Sequence, residues 1–186
     1  MKKALAIAGV VVLVVVLGVL ALAATRPGDF TVQRSASVQA PPEKILAYLD
    51  DFHKWGAWSP WEKMDPAMKK TWSGAERGKG AVYEWQSDKV GTGRMEMTDS
   101  SPARVAVKLD FIKPFEGHNT AAFALEPAGG ATRVTWTMQG PMNYAAKVMS
   151  VFFDMDKMIG KAFETGLANL KTLAEQKPAD AMTSRR

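Results

Sequence analysis

Residues Tyr144 to Glu175 read YAAKVMSVFFDMDKMIGKAFETGLANLKTLAE, and their apolar positions recur at steps of three and four. Val148, Phe152, Met155, Ile159, Ala162, Phe163, Gly166, Leu167, Leu170 and Leu173 fall on one stripe of a helix. Lys147, Asp154, Lys157, Lys161, Glu164, Ala168, Lys171 and Glu175 fall on the other side. The pattern predicts a helix that covers a core with one face and meets water with the other. Laid out straight, the stretch would run about 48 Å at ~1.5 Å per residue. A domain of about 150 residues has a radius of gyration near 15 Å, so a bend is expected. Asp154 and Asp156 can cap a new helix start between Phe153 and Asp156; Gly160 is the alternative hinge.

Upstream of this helix the chain is mostly extended. Asp29 to Gln39 alternates Phe30, Val32, Arg34, Ala36 and Val38 against polar neighbours, the mark of a strand with one mainly apolar face. Pro41 and Pro42 suit a helix start, and Ile45, Leu46 and Leu49 share one face of a short helix over 42–50. A turn-rich segment with Trp55, Trp58 and Trp61 follows, and its rings are best explained as sealing one end of a core. Six further strands are then expected at Lys69–Trp72, Ala81–Ser87, Thr92–Asp99, Arg104–Ile112, His118–Glu126 and Thr132–Met138, separated by Gly, Pro or Ser-rich turns. An antiparallel sheet with one apolar face needs a cover. Only the last helix is long enough, so the expected fold is α+β: seven antiparallel strands curved around the C-terminal helix, with the first and last strands side by side.

The N-terminus is of another kind. Ala4 to Ala24 is an uncharged apolar run of 21 residues, long enough to cross a hydrocarbon core of about 30 Å. It reads as a retained membrane anchor or as an export signal cleaved at Ala21-Leu22-Ala23. Signal cores span about 7 to 15 residues, which favours the anchor. Lys2 and Lys3 precede the run, so the amino end is expected in the cytoplasm and the domain outside it, in the periplasm of a cell with two membranes. The organisation is then an anchor at 1–24, a linker at 25–28, one domain at 29–176 and a disordered tail at 177–186.

Charge and composition exclude several functions. Between Pro27 and Gln176 there are 18 basic and 18 acidic residues, so the whole excess of +5 lies on the ends of the chain. A neutral domain does not predict nucleic-acid binding. Cysteine is absent, which removes disulfides, thiolate metal sites and thiol nucleophiles. His53, beside Asp50 and Asp51, reads as a surface ion pair, and His118 as a rim residue. No His, Asp or Glu spacing matches a metal site or a nucleophile with its base, and Gly74 to Gly80 lacks both a lysine at the offset of a phosphate loop and the dinucleotide G-x-G-x-x-G arrangement. No catalytic residue, metal or cofactor is expected.

Several stretches together carry a family resemblance that covers nearly the whole chain. They are Val38-Gln39-Ala40-Pro41-Pro42-Glu43, Trp55-x-x-Trp58-Ser59-Pro60-Trp61, Gly80-x-x-Tyr83-Glu84-Trp85, Gly93-Arg94-Met95, Thr132-Arg133-Val134-Thr135-Trp136 and Phe163-Glu164-x-Gly166-Leu167-x-x-Leu170-Lys171. The chain resembles the SRPBCC superfamily, the START-type helix-grip fold, in its bacterial polyketide cyclase/dehydrase-like branch. The resemblance implies a deep apolar cavity between sheet and long helix, and members of the branch often carry an amino-terminal membrane helix. It transfers no invariant catalytic motif.

Six Trp and eleven Met are many for 186 residues, and large rings with adaptable Met side chains suit an apolar ligand of loose shape. The expected binding residues are Trp72, Tyr83, Trp85, Met95 and Met97 on the early strands. Leu109, Phe111, Phe123, Trp136 and Met138 come from the later ones, and Met155, Ile159 and Phe163 from the helix. The leading reading is a membrane-anchored domain that binds a hydrophobic small molecule or lipid. A cyclase-like enzyme with His118 or Asp110 moving a proton, and a scaffold with a filled core, are the alternatives.

Overall fold

The computed structural model describes residues 2–176; the tail expected at 177–186 lies outside the described residues. Helix α1 (Lys2–Ala24) leads into β1 (Asp29–Val38) and the short helix α2 (Pro42–Leu49). Helix α3 (Trp55–Trp58) follows, flanked by single 3₁₀ turns at Phe52–Lys54 and Trp61–Lys63. Then come β2 (Lys69–Gly74), β3 (Ala81–Ser87), β4 (Gly91–Ser101), β5 (Arg104–Lys113), β6 (Gly117–Ala128) and β7 (Ala131–Pro141). Two helices, α4 (Tyr144–Phe152) and α5 (Met155–Glu175), close the fold.

All seven strands join one antiparallel sheet in the order β1-β7-β6-β5-β4-β3-β2, so that β1 lies beside β7 with Val32 opposite Met138. The sheet is a meander apart from that closure. The register of β4 against β5 shifts at Thr92/Gly93 and again between Met97 and Asp99; such irregularities bend and twist a sheet, and this one curls toward α5. Most strands run one to three residues beyond the alternating apolar core read from the sequence. Ladder pairing continues into the Gly, Ser and Pro positions at their ends, as at Asp29 opposite Pro141.

The helical stretch breaks where the aspartates stand. Phe153 is extended, and the Asp154 side chain accepts a hydrogen bond from the Lys157 N–H at 3.0 Å to cap α5. Helix α5 then runs unbroken through Gly160, which is not a hinge. Glycine there makes room instead: a Cβ at 160 would sit 2.0 Å from the Arg34 guanidinium, and one at 166 would sit 2.8 Å from the Trp136 ring. Both let α5 lie close on the sheet. Arg34 stands in the apolar register of β1 because the acidic start of α5 faces it. Its guanidinium bonds Asp156 at 2.9 Å and Glu164 at 2.9 Å.

One end of the concave face is a close-packed core. Trp58 is fully buried, with its ring edge-on to Phe123 at 5.8 Å and to Trp136 at 5.5 Å. The indole N–H groups of Trp55 and Trp58 donate to the carbonyls of Leu49 and Tyr48 at 3.0 and 3.2 Å. Asn169 of α5 donates to the Trp58 carbonyl at 3.0 Å, which ties helix to helix. Leu167, Leu170, Val134 and Leu125 complete this end.

The first part of the helical stripe behaves differently. No residue of α4 is buried; Val148 is half-buried and Phe152 is exposed, so these two are not core residues as the periodicity suggested. Helix α4 packs instead against α1. Helix α1 is long and apolar enough over Ala6–Ala24 to cross a membrane and is almost wholly exposed along that length.

Candidate functional site

Between the other end of the concave face and the α4–α5 junction lies a cavity of about 630 Å³. The sheet supplies its floor through residues that alternate toward α5: Tyr83 and Trp85 of β3, Met95 of β4, Leu109 and Phe111 of β5, Trp136 and Met138 of β7. Met155, Ile159 and Phe163 of α5 form the roof. These ten are among the thirteen expected binding residues, and the fold gathers them around one space. Phe163 stacks flat on Trp136 with ring centroids 4.0 Å apart and planes 5° apart, marking the boundary between filled core and cavity.

The other three lie elsewhere. Met97 and Phe123 face the same side of the sheet but are fully buried in the packed end, Phe123 against Trp58. Trp72 shares a face with its cross-strand partner Tyr83. It sits, however, on the edge strand beyond the reach of α5, half-exposed and stacked on His53 at 5.0 Å. Period-two alternation assigns a face correctly in all three cases; position along and across the sheet separates them from the cavity.

The cavity also takes residues that periodicity did not mark. Trp55 and Trp61, read as core seals, line it, as do Met64 and Met68 of the segment after α3; Phe30, on the apolar face read for β1 but not among the expected binding residues, joins them. Phe115 and Glu116 come from the β5–β6 turn, Gly117 from the start of β6, and Ala145, Ala146 and Met149 from α4. The turn segments have no repeat to read. Their signal was composition: large apolar residues in loops that a solvated turn would not need.

One polar cluster is set in this wall. The Tyr83 hydroxyl donates to Glu62 Oε1 at 2.6 Å, and Lys70 Nζ donates to Glu62 Oε2. Burial, with the Glu62 hydrogen bond second, pushes the Tyr83 phenol far above its ordinary value, so it stays protonated and its proton points at Glu62. Both carboxylate oxygens are engaged and the Glu62 charge is matched by Lys70. The indole N–H groups of Trp85 and Trp136 are buried without a hydrogen-bond partner among the described residues, unlike those of Trp55 and Trp58.

The groups considered for proton transfer are not in the cavity. Asp110 and His118 pair across β5 and β6 on the convex face, Oδ1 to Nδ1 at 2.7 Å, with Glu116 at 3.3 Å from Nε2. His53 bonds Asp51 at 3.1 Å on the surface. Among the described residues no group of three His, Cys, Asp or Glu side chains is placed to hold a metal ion.

The same fold recurs in solved structures. Protein CV1439 from Chromobacterium violaceum is 15% identical, with 79% of this chain and 98% of that one covered at a TM-score of 0.57. The Aha1 dimer from Colwellia psychrerythraea is 16% identical over 78% and 96%, at 0.57. The Mll3558 protein from Rhizobium loti is 20% identical over 78% and 96%, also at 0.57. Likeness at these identities is one of fold alone. No curated protein matches the chain. Residues 29–175, the entire sheet and both closing helices, match the family model for polyketide cyclase / dehydrase and lipid transport, and the chain belongs to that SRPBCC-type family.

Proposed function

We propose that the domain holds a hydrophobic small molecule or lipid in the cavity between the sheet and α5, and that α1 keeps it at a membrane. One observation carries this reading: a space of about 630 Å³ walled mainly by apolar side chains. Protein interiors are close-packed, with few voids larger than a water molecule. Ligand pockets fall at about 300 to 1,000 Å³ and have apolar walls with a few polar groups. The Tyr83–Glu62–Lys70 cluster, internally satisfied, offers a polar edge to a mostly apolar guest without an unpaired charge. Family membership supports the same class of ligand. Lys2 and Lys3 before the apolar run favour an extracytoplasmic domain on the cell's inner membrane.

The test is denaturing extraction of the full chain purified in detergent, followed by mass spectrometry. A reproducible apolar passenger, absent from an equally treated control protein, is the expected result. An empty extract, together with no uptake of an environment-sensitive apolar dye, would end the reading in favour of a scaffold. Conversion of the passenger during incubation would move the domain to the cyclase-like reading.

A further inference from the structure

Three apolar side chains that line the cavity are also well exposed: Met64 at 56%, Phe115 at 74% and Met149 at 50%. They come from three separate segments and therefore ring the mouth. The exposed apolar surface continues from Met149 through Phe152 and Phe153, 63% and 50% exposed, to Met158 at the start of α5. Contiguous apolar surface of this kind marks a protein or membrane contact.

The neighbouring element says which. Tyr144, at the first turn of α4, donates its hydroxyl to the Leu20 carbonyl of α1 at 2.9 Å, and the Met142 N–H donates to the Gly28 carbonyl at 2.7 Å. Leu20 lies four residues before the end of α1, about 6 Å along the helix axis. If α1 crosses a bilayer, the Tyr144 hydroxyl at the first turn of α4 is carried about 6 Å below the end of the span. That matches the ~5–10 Å depth at which amphipathic helices bed in the interface. A Tyr with an apolar ring and a bonded hydroxyl belongs at that level.

We propose that the cavity mouth opens into the lipid leaflet that holds the C-terminal end of α1. Helix α4, Phe115 and the Phe152–Phe153 corner are immersed in that leaflet, and an apolar or amphipathic molecule passes sideways between leaflet and cavity without crossing water. The occupant of this surface is lipid rather than a protein because the patch is continuous, through α4, with the exposed apolar surface of α1. What passes through the mouth rests on the binding function proposed above; where the rim lies does not.

The chain has no cysteine, so Phe115→Cys and Phe152→Cys each give one labelling site, with Arg104→Cys on the convex face at the far end of β5 as reference. Each full chain, carrying an environment-sensitive fluorophore, is placed in phosphatidylcholine nanodiscs. Labels at 115 and 152 should shift to the blue and lose most of their emission to spin-labelled phospholipid, while the label at 104 responds only to aqueous iodide. Iodide quenching at 115 and 152 equal to that at 104 overturns the proposal. So does a blue shift without lipid quenching that grows with protein concentration, since a second copy would then cover the rim. Extraction of the same chains in detergent, before they meet any added lipid, separates the two ideas: a passenger with a wet rim ends this inference alone, and a lipid-immersed rim with an empty extract ends the binding function alone.

Discussion

The concave face of the sheet has two ends built from similar residues, and they differ in what stands opposite. On β4 Met97 is packed while Met95, two residues earlier, borders open space. On β7 Val134 is packed while Met138 borders it; on β6 Phe123 is packed while Ala121 borders it. At the packed end Trp58, Leu167 and Leu170 press on the sheet. At the other end the chain leaves α5 at Asp154, turns through Phe153 and departs along α1. The roof is lifted there and the floor is low, because β6 offers only Gly117, Asn119 and Ala121. A cavity therefore arises from a cap residue and a run of small side chains, not from a different kind of strand.

Truncation should separate the ends most strongly. Phe123→Ala removes a fully buried ring clamped by Trp55, Trp58 and Trp136, and a loss of about 3 to 5 kcal/mol is expected. Met95→Ala deletes a side chain that already borders a void. Its cost should fall below the ~2 kcal/mol that begins the range for packed Met. Equilibrium denaturation of the detergent-solubilised chain measures both. Equal losses would mean that the two ends are packed alike and that the cavity closes in solution.

Enlargement asks the reverse question with a smaller expected effect. Val134→Phe forces atoms into the packed end and should cost about 1 to 3 kcal/mol. Ala121→Leu extends into the cavity and should leave stability within ~0.5 kcal/mol of the parent, the range of unstrained changes. It should also reduce the apolar passenger recovered on extraction. A large destabilisation by Ala121→Leu would show that the space over β6 is not available to a guest.

The sequence made one half of this contrast readable. Strand alternation assigned Met95 and Met97 to the same face, and Asp154 beside Phe153 located the helix break, because both are local patterns with a fixed period or a fixed cap geometry. The distance from Met95 to the roof is not local. It depends on where α4 goes after the break, and nothing in a strand reports that. Trp55 and Trp61 escaped for a related reason, since turns have no period. Phe152 was misassigned because periodicity marks an apolar stripe without reporting whether another element covers it, and here none does among the described residues.

The smallest expected effect concerns pH, and it too should be confined to one end. His118 lies just after the β5–β6 turn that carries Phe115, with Asp110, Lys108 and Glu116 around it. The hydrogen bond to Asp110 raises the His118 pKa above its ordinary 6.5. Partial burial pushes the Asp110 carboxyl upward, but the hydrogen bonds from His118 and Lys108 outweigh it and hold the group below its ordinary 3.8. For His118 the folded value is the higher, so its contribution is complete below 6.5 and disappears as pH rises through the raised value. For Asp110 the folded value is the lower, so its contribution is complete above 3.8 and disappears as pH falls through the depressed value. The pair therefore holds the β5–β6 turn best between those limits, where the imidazolium faces a carboxylate. A spin label at position 115 should gain mobility as pH climbs past the His118 transition, while one at 104, beside the packed end, should not. His118→Gln should remove the transition at 115 and leave the label at 104 unchanged. A parallel rise at both positions would assign the pH response to the whole sheet and dissolve the distinction between its ends.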